Sequence, residues 1–80
     1  MIKKLKWQAA KMIKINLNGK MQEFETQEGK LSVQNLVEIR NLKGFFAVEL
    51  NLKIINKEDY NSTFINDGDS VEIVSFAGGG

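Results

Sequence analysis

The chain ends in Ala77-Gly78-Gly79-Gly80, directly after the apolar segment 71–76. Glycine has no Cβ, so this run is a thin arm that can enter a narrow channel and adopt backbone conformations closed to other residues. Three glycines extend at most about 10 Å. The group available for chemistry is the α-carboxylate of Gly80, which Gly78 and Gly79 would carry into another protein's active site. A frayed terminus is the alternative.

The rest of the chain lacks the residue types that most often act as catalytic groups in an active site. It contains no His and no Cys, which removes the commonest general base, the commonest metal ligand and any thiol chemistry. Asp67 and Asp69 could begin a calcium loop, but the downstream ligands of an EF-hand are missing, so a plain turn is predicted. We therefore expect a protein that is not an enzyme and binds no metal or cofactor. The absence of Cys favours a reducing compartment, the cytoplasm.

Length and composition predict one small globular domain. The chain has 80 residues, of which 42% are hydrophobic and 26% charged, and no apolar run approaches the roughly 18 residues of a membrane span. The net charge of +1 is uneven, because residues 1–11 carry four lysines and no acid. Residues 12–80 then carry seven basic and ten acidic groups, 7 − 10 = −3, which disfavours nucleic acid as a partner.

The lysine-rich start differs from the remainder in pattern as well as in charge. Alternation of apolar and polar residues begins only at Met12. We expect residues 1–11 to be an extension outside the fold, and residues 12–80 to be the domain, with a flexible glycine tail at 77–80. The domain is expected to be a monomer on its own.

The first half of this domain predicts a hairpin followed by a helix. Ile13, Ile15 and Leu17 alternate with polar residues, Asn18-Gly19 is a strong hairpin-turn signal, and a second strand is predicted over 20–26. A helix is predicted near 32–43. Its predicted features are an N-cap at Ser32, a hydrophobic staple between Leu31 and Leu36, Lys43 near the negative end of the helix dipole, and closure at Gly44.

The second half predicts further short strands. They are expected over 45–50, 53–55 and 71–77, with a helical turn over 57–60 that points Tyr60 inward and a turn at 66–69. One helix laid across a sheet would bury the single apolar side of every element. We therefore predict an α+β fold of the β-grasp, or ubiquitin-like, type, with a mixed sheet of four or five strands. The expected core is Leu17, Phe24, Leu36, Val37, Val48 and Ile73.

In this arrangement the first and last strands lie together at the centre of the sheet, so the arm leaves from the middle of the fold. On the last strand Val74 and Phe76 share a face, as do Phe45 and Ala47 on the third strand. If Glu49 and Glu72 face solvent, these four residues form an apolar patch on the open side of the sheet, beside the arm. We predict that this patch is a partner docking surface.

Three segments of the chain resemble the ThiS family of sulfur carriers: 12–20, 48–60, and 67–74 followed by the terminal glycines. The resemblance covers 12–80. It departs from the family in the extra N-terminal residues and the third terminal glycine. The MoaD-like small subunit of molybdopterin synthase shares the fold and the Gly-Gly end, but usually has proline before the final segment, and this chain has none. A noncatalytic β-grasp adaptor is a further alternative.

The resemblance implies a carrier cycle in thiamine biosynthesis. A ThiF-like enzyme would use Mg-ATP to adenylate the carboxylate of Gly80, and a persulfide-bearing sulfur donor would convert the acyl-adenylate to a thiocarboxylate. A ThiG-like thiazole synthase would then take the sulfur. ATP and Mg²⁺ would be bound by the partner, since none of these steps needs a catalytic group on the carrier.

Overall fold

A computed structural model describes residues 10–76, which form two sheets and one helix. The elements, in chain order, are β1 (Ala10–Leu17), β2 (Lys20–Gln27), β3 (Leu31–Ser32), α1 (Val33–Ile39), β4 (Phe46–Leu50), β5 (Lys53–Ile54), a 3₁₀ turn (Lys57–Asp59), β6 (Phe64–Ile65) and β7 (Ser70–Ser75). The main sheet has the order β2-β1-β7-β4-β5. Strands β1 and β7 are parallel and all other neighbours are antiparallel. This is the predicted β-grasp fold, with the first and last strands adjacent in the sheet.

The hairpin β1–β2 forms as its sequence pattern predicts. Ile13, Ile15 and Leu17 are buried, while the residues between them face outward or are only half-buried. Asn18 and Gly19 both have positive φ, 50° and 86°. A two-residue turn of this kind matches the right-handed twist of the strands it joins.

Pairing begins two residues before the predicted domain start at Met12. Ala10 pairs with Gln27, and Lys11 pairs with Thr26. The Thr26 hydroxyl, in a side chain that is 6% exposed, donates to the Lys11 carbonyl at 2.8 Å. Residues 10 and 11 therefore belong to strand β1, because the ladder continues wherever the partner strand is long enough to receive it. Residues 1–9 lie outside the described part of the chain.

The N-cap of α1 is the predicted one. The Ser32 hydroxyl accepts from the Asn35 N–H at 3.0 Å, and the Asn35 side chain accepts from the Ser32 N–H at 3.1 Å. This is a capping box with Asn in the position that Glu or Gln usually takes. Leu31 and Leu36, the predicted staple pair, are both buried.

The predicted end of α1 is wrong. The helix ends at Ile39, not near residue 43, and Lys43 therefore lies beyond its last turn. Asn41 takes the left-handed conformation with φ 55°, its N–H donates to the Glu38 carbonyl, and the Leu42 N–H donates to the Val37 carbonyl. These two bonds are a Schellman motif closed by Asn, so Gly44 is not needed to end the helix.

The core lies between the helix and one face of the main sheet. It contains Ile13, Ile15, Leu17, Phe24, Leu31, Val33, Leu36, Val48, Tyr60, Ile65 and Val71. Of the predicted core residues, Val37 and Ile73 are only partly buried and pack against this cluster. Tyr60 points inward as predicted, and its ring stacks on Phe46 with centroids 6.4 Å apart. The small sheet of β3 with β6 was not predicted from the sequence.

Candidate functional site

The arm follows the sheet's inner strand β7, which has β1 on one side and β4 on the other. The strand ends at Ser75, and the Phe76 N–H still donates to the Phe45 carbonyl at 2.9 Å. The main chain is thus held by neighbouring strands up to the residue before Ala77. The predicted site residues Gly78, Gly79 and Gly80 lie outside the described residues.

The four residues predicted as a docking patch share the open face of the sheet. Ala47 lies directly opposite Val74 in the β4–β7 register, and Phe45 and Phe76 occupy the next row. Phe45 is 69% exposed, Val74 49% and Phe76 54%. The loop over 53–66 does not cover Phe45, Val74 and Phe76, which keep about half or more of their surface, while Ala47 is half-buried. We call the four residues the open-face patch; its role as a docking site stays a prediction.

A shallow groove adjoins the patch at the end of the sheet from which the arm departs. Its volume is about 350 Å³, and it is lined by Gly44, Phe45, Phe46, Ala47, Ile54, Ile55, Lys57, Tyr60 and Phe76. The lining is apolar apart from the Lys57 side chain and the Tyr60 hydroxyl. Burial raises the pKa of Tyr60 above its ordinary value of 10.0, so this hydroxyl is neutral at physiological pH.

On the opposite, helix-side face of β7 lies a second groove of about 430 Å³, whose lining is part apolar and part polar and includes two basic side chains. Arg40 hydrogen-bonds to Gln22 and holds its guanidinium carbon 5.7 Å from the centre of the Phe24 ring. Lys20 and Ser75 also line this groove. The last residues before the arm therefore lie between the apolar open-face patch and a mixed groove that contains Lys20 and Arg40.

Asn18 ties the hairpin turn to β7, a role that sequence reasoning missed. Its side-chain oxygen accepts from the Ile73 N–H at 2.7 Å, and its amide nitrogen donates to the Ile73 carbonyl at 3.3 Å. Its main-chain N–H donates to the Val71 carbonyl at 2.9 Å. These bonds continue the β1–β7 ladder past the end of β1, toward the residues that carry the arm. The Asn-Gly signal identifies the turn but not its tertiary partner.

Asp67 and Asp69 form the predicted turn. Asp67 accepts from the Lys14 N–H at 2.7 Å, and Asp69 accepts from the Asn66 N–H at 2.8 Å. Both carboxylates thus serve main-chain donors, and the Gly68 N–H donates to the Lys14 carbonyl at 2.7 Å. The turn fixes the start of β7 against β1.

A mixed sheet that holds one helix, with its first and last strands parallel and adjacent, defines a ubiquitin-like β-grasp protein. Residues 15–80 match the family model described as the ThiS family. The chain belongs to the ThiS family. Among residues 10–76, the structure contains no helix with the length and apolar character needed to span a membrane.

Individual relatives agree with this assignment. The chain is 37% identical over 67 residues to the sulfur carrier protein ThiS of Bacillus subtilis, covering 82% of this chain and 98% of that protein. It is 35% identical over 68 residues to a thiazole synthase of Paramagnetospirillum magneticum, covering 85% of this chain. The chain spans only 20% of that thiazole synthase.

A solved structure shows the same fold. The crystal structure of thiamine biosynthesis protein ThiS from Geobacter metallireducens superimposes with a TM-score of 0.69 at 30% identity. The superposition covers 85% of this chain and 100% of the Geobacter chain. The β-grasp fold and the ThiS family membership predicted from the sequence are therefore confirmed.

Proposed function

We propose that this chain carries sulfur for thiazole formation in thiamine biosynthesis, as a protein co-substrate of partner enzymes. The observation that carries the proposal is the strand that precedes the terminal glycines. Strand β7 is held on both sides by neighbours and lies beside an exposed apolar surface, in a chain of the ThiS family. The Bacillus relative is named a sulfur carrier, and the match covers 98% of that protein and 82% of this chain.

The first chemical step is activation of the Gly80 carboxylate. A carboxylate is a poor acyl donor because its oxygen is a poor leaving group. In the proposed step a carboxylate oxygen attacks the α-phosphorus of ATP, bound with Mg²⁺ by a ThiF-like enzyme, and pyrophosphate leaves. The resulting acyl-adenylate has AMP as a good leaving group.

The second step is sulfur transfer. A sulfur nucleophile, a donor protein's persulfide in the cell or sulfide in a test tube, attacks the acyl carbon and displaces AMP. With sulfide the product is the thiocarboxylate directly. With a persulfide the product is an acyl disulfide linked to the donor protein, and a thiol must then attack the donor-side sulfur, form a disulfide with the donor cysteine and so release the thiocarboxylate. Gly80 has no side chain to obstruct this attack, and a ThiG-like thiazole synthase would accept the sulfur. The match to a thiazole synthase supports this last partner.

The remaining features of the chain fit a carrier in the cytoplasm. The carrier needs no catalytic group of its own, which agrees with a chain that contains no His and no Cys. Absence of Cys also suits a reducing compartment. The open-face patch would dock against the adenylating enzyme while the arm enters its active site.

The test is the intact mass of the chain after incubation with a ThiF-like enzyme, Mg-ATP and sulfide. A carrier gains the mass difference between one sulfur and one oxygen. Amidation of the terminal carboxylate removes the nucleophile. The amidated chain should therefore show neither the gain in mass nor ATP–pyrophosphate exchange. Gly79→Val is a finer test, since it adds a β-branched side chain where the arm must be thin. This variant should lose exchange activity while keeping the wild-type melting temperature. Undiminished exchange by the amidated form would leave the adaptor as the better hypothesis.

A further inference from the structure

A pair of like charges lies on the open face of the sheet, next to the open-face patch. Glu49 on β4 and Glu72 on β7 are directly opposite each other in the antiparallel register. Side chains in such positions have Cβ atoms about 4.5–5.5 Å apart. Glu49 is half-buried and Glu72 is exposed. We call these two residues the carboxylate pair.

Within residues 10–76, neither Glu49 nor Glu72 forms an ion pair. The residue opposite Glu49 on its other side, in β5, is Ile54. The one ion pair found among residues 10–76 joins Lys14 to Glu23, on β1 and β2. Like charges directly opposite on one face destabilise a sheet. We therefore expect the carboxylate pair to destabilise the isolated domain.

The carboxylate pair continues the rows of the open-face patch. Along β7 the outward residues are Glu72, Val74 and Phe76, and along β4 they are Glu49, Ala47 and Phe45. A strand rises about 3.3 Å per residue, so the pair lies roughly 13 Å from the row of Phe45 and Phe76 where the arm departs. One face thus has an apolar end beside the arm and an anionic end away from it.

We propose that the open-face patch and the carboxylate pair form a single docking surface for the adenylating enzyme, whose matching surface places a lysine or arginine against Glu49 and Glu72. This inference rests on the proposed function and names the chemistry of the partner's surface. The carboxylate pair itself carries it: the two carboxylates face each other, form no ion pair within residues 10–76, and lie in the same rows as the exposed residues of the open-face patch.

Docking would make a partner cation necessary. As water leaves the interface, the repulsion between Glu49 and Glu72 grows because the local dielectric falls. A partner with a correctly placed cation relieves the repulsion, whereas a purely apolar surface would bury two uncompensated charges. The carboxylate pair would thus set both the identity of the partner and the register in which the arm enters its channel.

The experiment compares Glu49→Gln and Glu72→Gln with the wild-type chain. Gln keeps the size of Glu and removes its charge. Glu25→Gln is the matched control, since Glu25 is also exposed on the open face but lies on β2, away from the pair. Each form is melted alone. Each is then titrated in the ATP–pyrophosphate exchange reaction of a ThiF-like enzyme, at low and high salt, to obtain kcat and the KM for the chain.

The proposal expects opposite effects on stability and on binding. Removing one charge of the pair should raise Tm by about 1–4 °C, because the repulsion is gone. The same change should raise KM about tenfold, with kcat little changed, because a charge pair across the interface is lost. It should also weaken the salt dependence of KM. Glu25→Gln should change neither KM nor its salt dependence.

Two results would overturn the proposal. The first is a KM that stays at the wild-type value, or falls, in both Glu49→Gln and Glu72→Gln. In that case the pair does not face a partner cation, although the carrier function stands. The second is a wild-type chain that supports no exchange at all, which would remove the proposed function and this inference together.

Discussion

The Asn18 side chain makes two hydrogen bonds to the main chain of Ile73, at 2.7 Å and 3.3 Å. Strand β1 ends at Leu17, so without Asn18 the β1 side of β7 would lose its partner just before the residues that carry the arm. One turn residue therefore both reverses the chain and holds the strand from which the arm departs.

Asn18→Gly should lower the free energy of unfolding by about 1–2 kcal/mol, since two hydrogen bonds of ordinary strength are lost. Glycine tolerates positive φ, so the turn itself should survive. Asn41→Gly is the control, because Asn41 also has positive φ, at 55°. Thermal melts and amide hydrogen exchange at Ile73 measure the effect. Equal melting temperatures for the two variants would show that the Asn18 side chain adds nothing.

Phe76→Asp should leave the fold intact and weaken docking. Phe76 is 54% exposed, so a charge there costs the isolated chain little, whereas a charge in a desolvated interface commonly costs several kcal/mol. Phe64→Asp is a matched control, since Phe64 is 48% exposed but lies on β6. The readouts are circular dichroism and the KM of the chain in ATP–pyrophosphate exchange. A folded Phe76→Asp chain with wild-type KM would exclude the open-face patch as the dock.

A chain that begins at residue 10, with Met in place of Ala10, should be more stable than one that begins at Met12. The shorter form lacks the Lys11 carbonyl that accepts from the buried Thr26 hydroxyl. An unsatisfied buried hydroxyl costs about 1–3 kcal/mol, and each kcal/mol corresponds to about 4–8 °C in Tm. The substitution Thr26→Val removes the hydroxyl, so it should reduce the difference in Tm between the two forms. Identical melts for the two lengths would place the true domain start at Met12.

Alkaline pH should destabilise the fold through Tyr60, the chain's single tyrosine. Its folded pKa is raised above 10.0 by burial. Above pH 10 the unfolded state releases the Tyr60 hydroxyl proton, whereas the folded state still holds it. The contribution of Tyr60 to the free energy of unfolding is therefore complete below pH 10 and is lost as pH rises through the folded pKa. Phenolate absorbance of folded and urea-unfolded chain measures the two ionisations. Tyr60→Phe should make the free energy of unfolding less dependent on pH in this alkaline range. Coincident phenolate titration curves for the folded and the unfolded chain would refute the raised pKa of Tyr60.

The features that depend on local pattern could be predicted from the amino-acid sequence. Alternation fixed the inward side of β1, Ser32 fixed the start of α1, and the open-face patch followed from the period of two residues along β4 and β7. The terminal glycines predict chemistry at the α-carboxylate, and this prediction needs no tertiary context because the group is carried by the end of the chain itself.

How these elements contact one another became clear from the three-dimensional fold. The start of β1 at Ala10 and the small sheet of β3 with β6 depend on neighbours distant in the chain. The facing of Glu49 by Glu72 depends on the β4–β7 register, and the bonds of Asn18 to Ile73 join residues 55 positions apart. Local propensity cannot encode such contacts, because a strand's register is set by the whole set of side chains that its two faces must bury or expose.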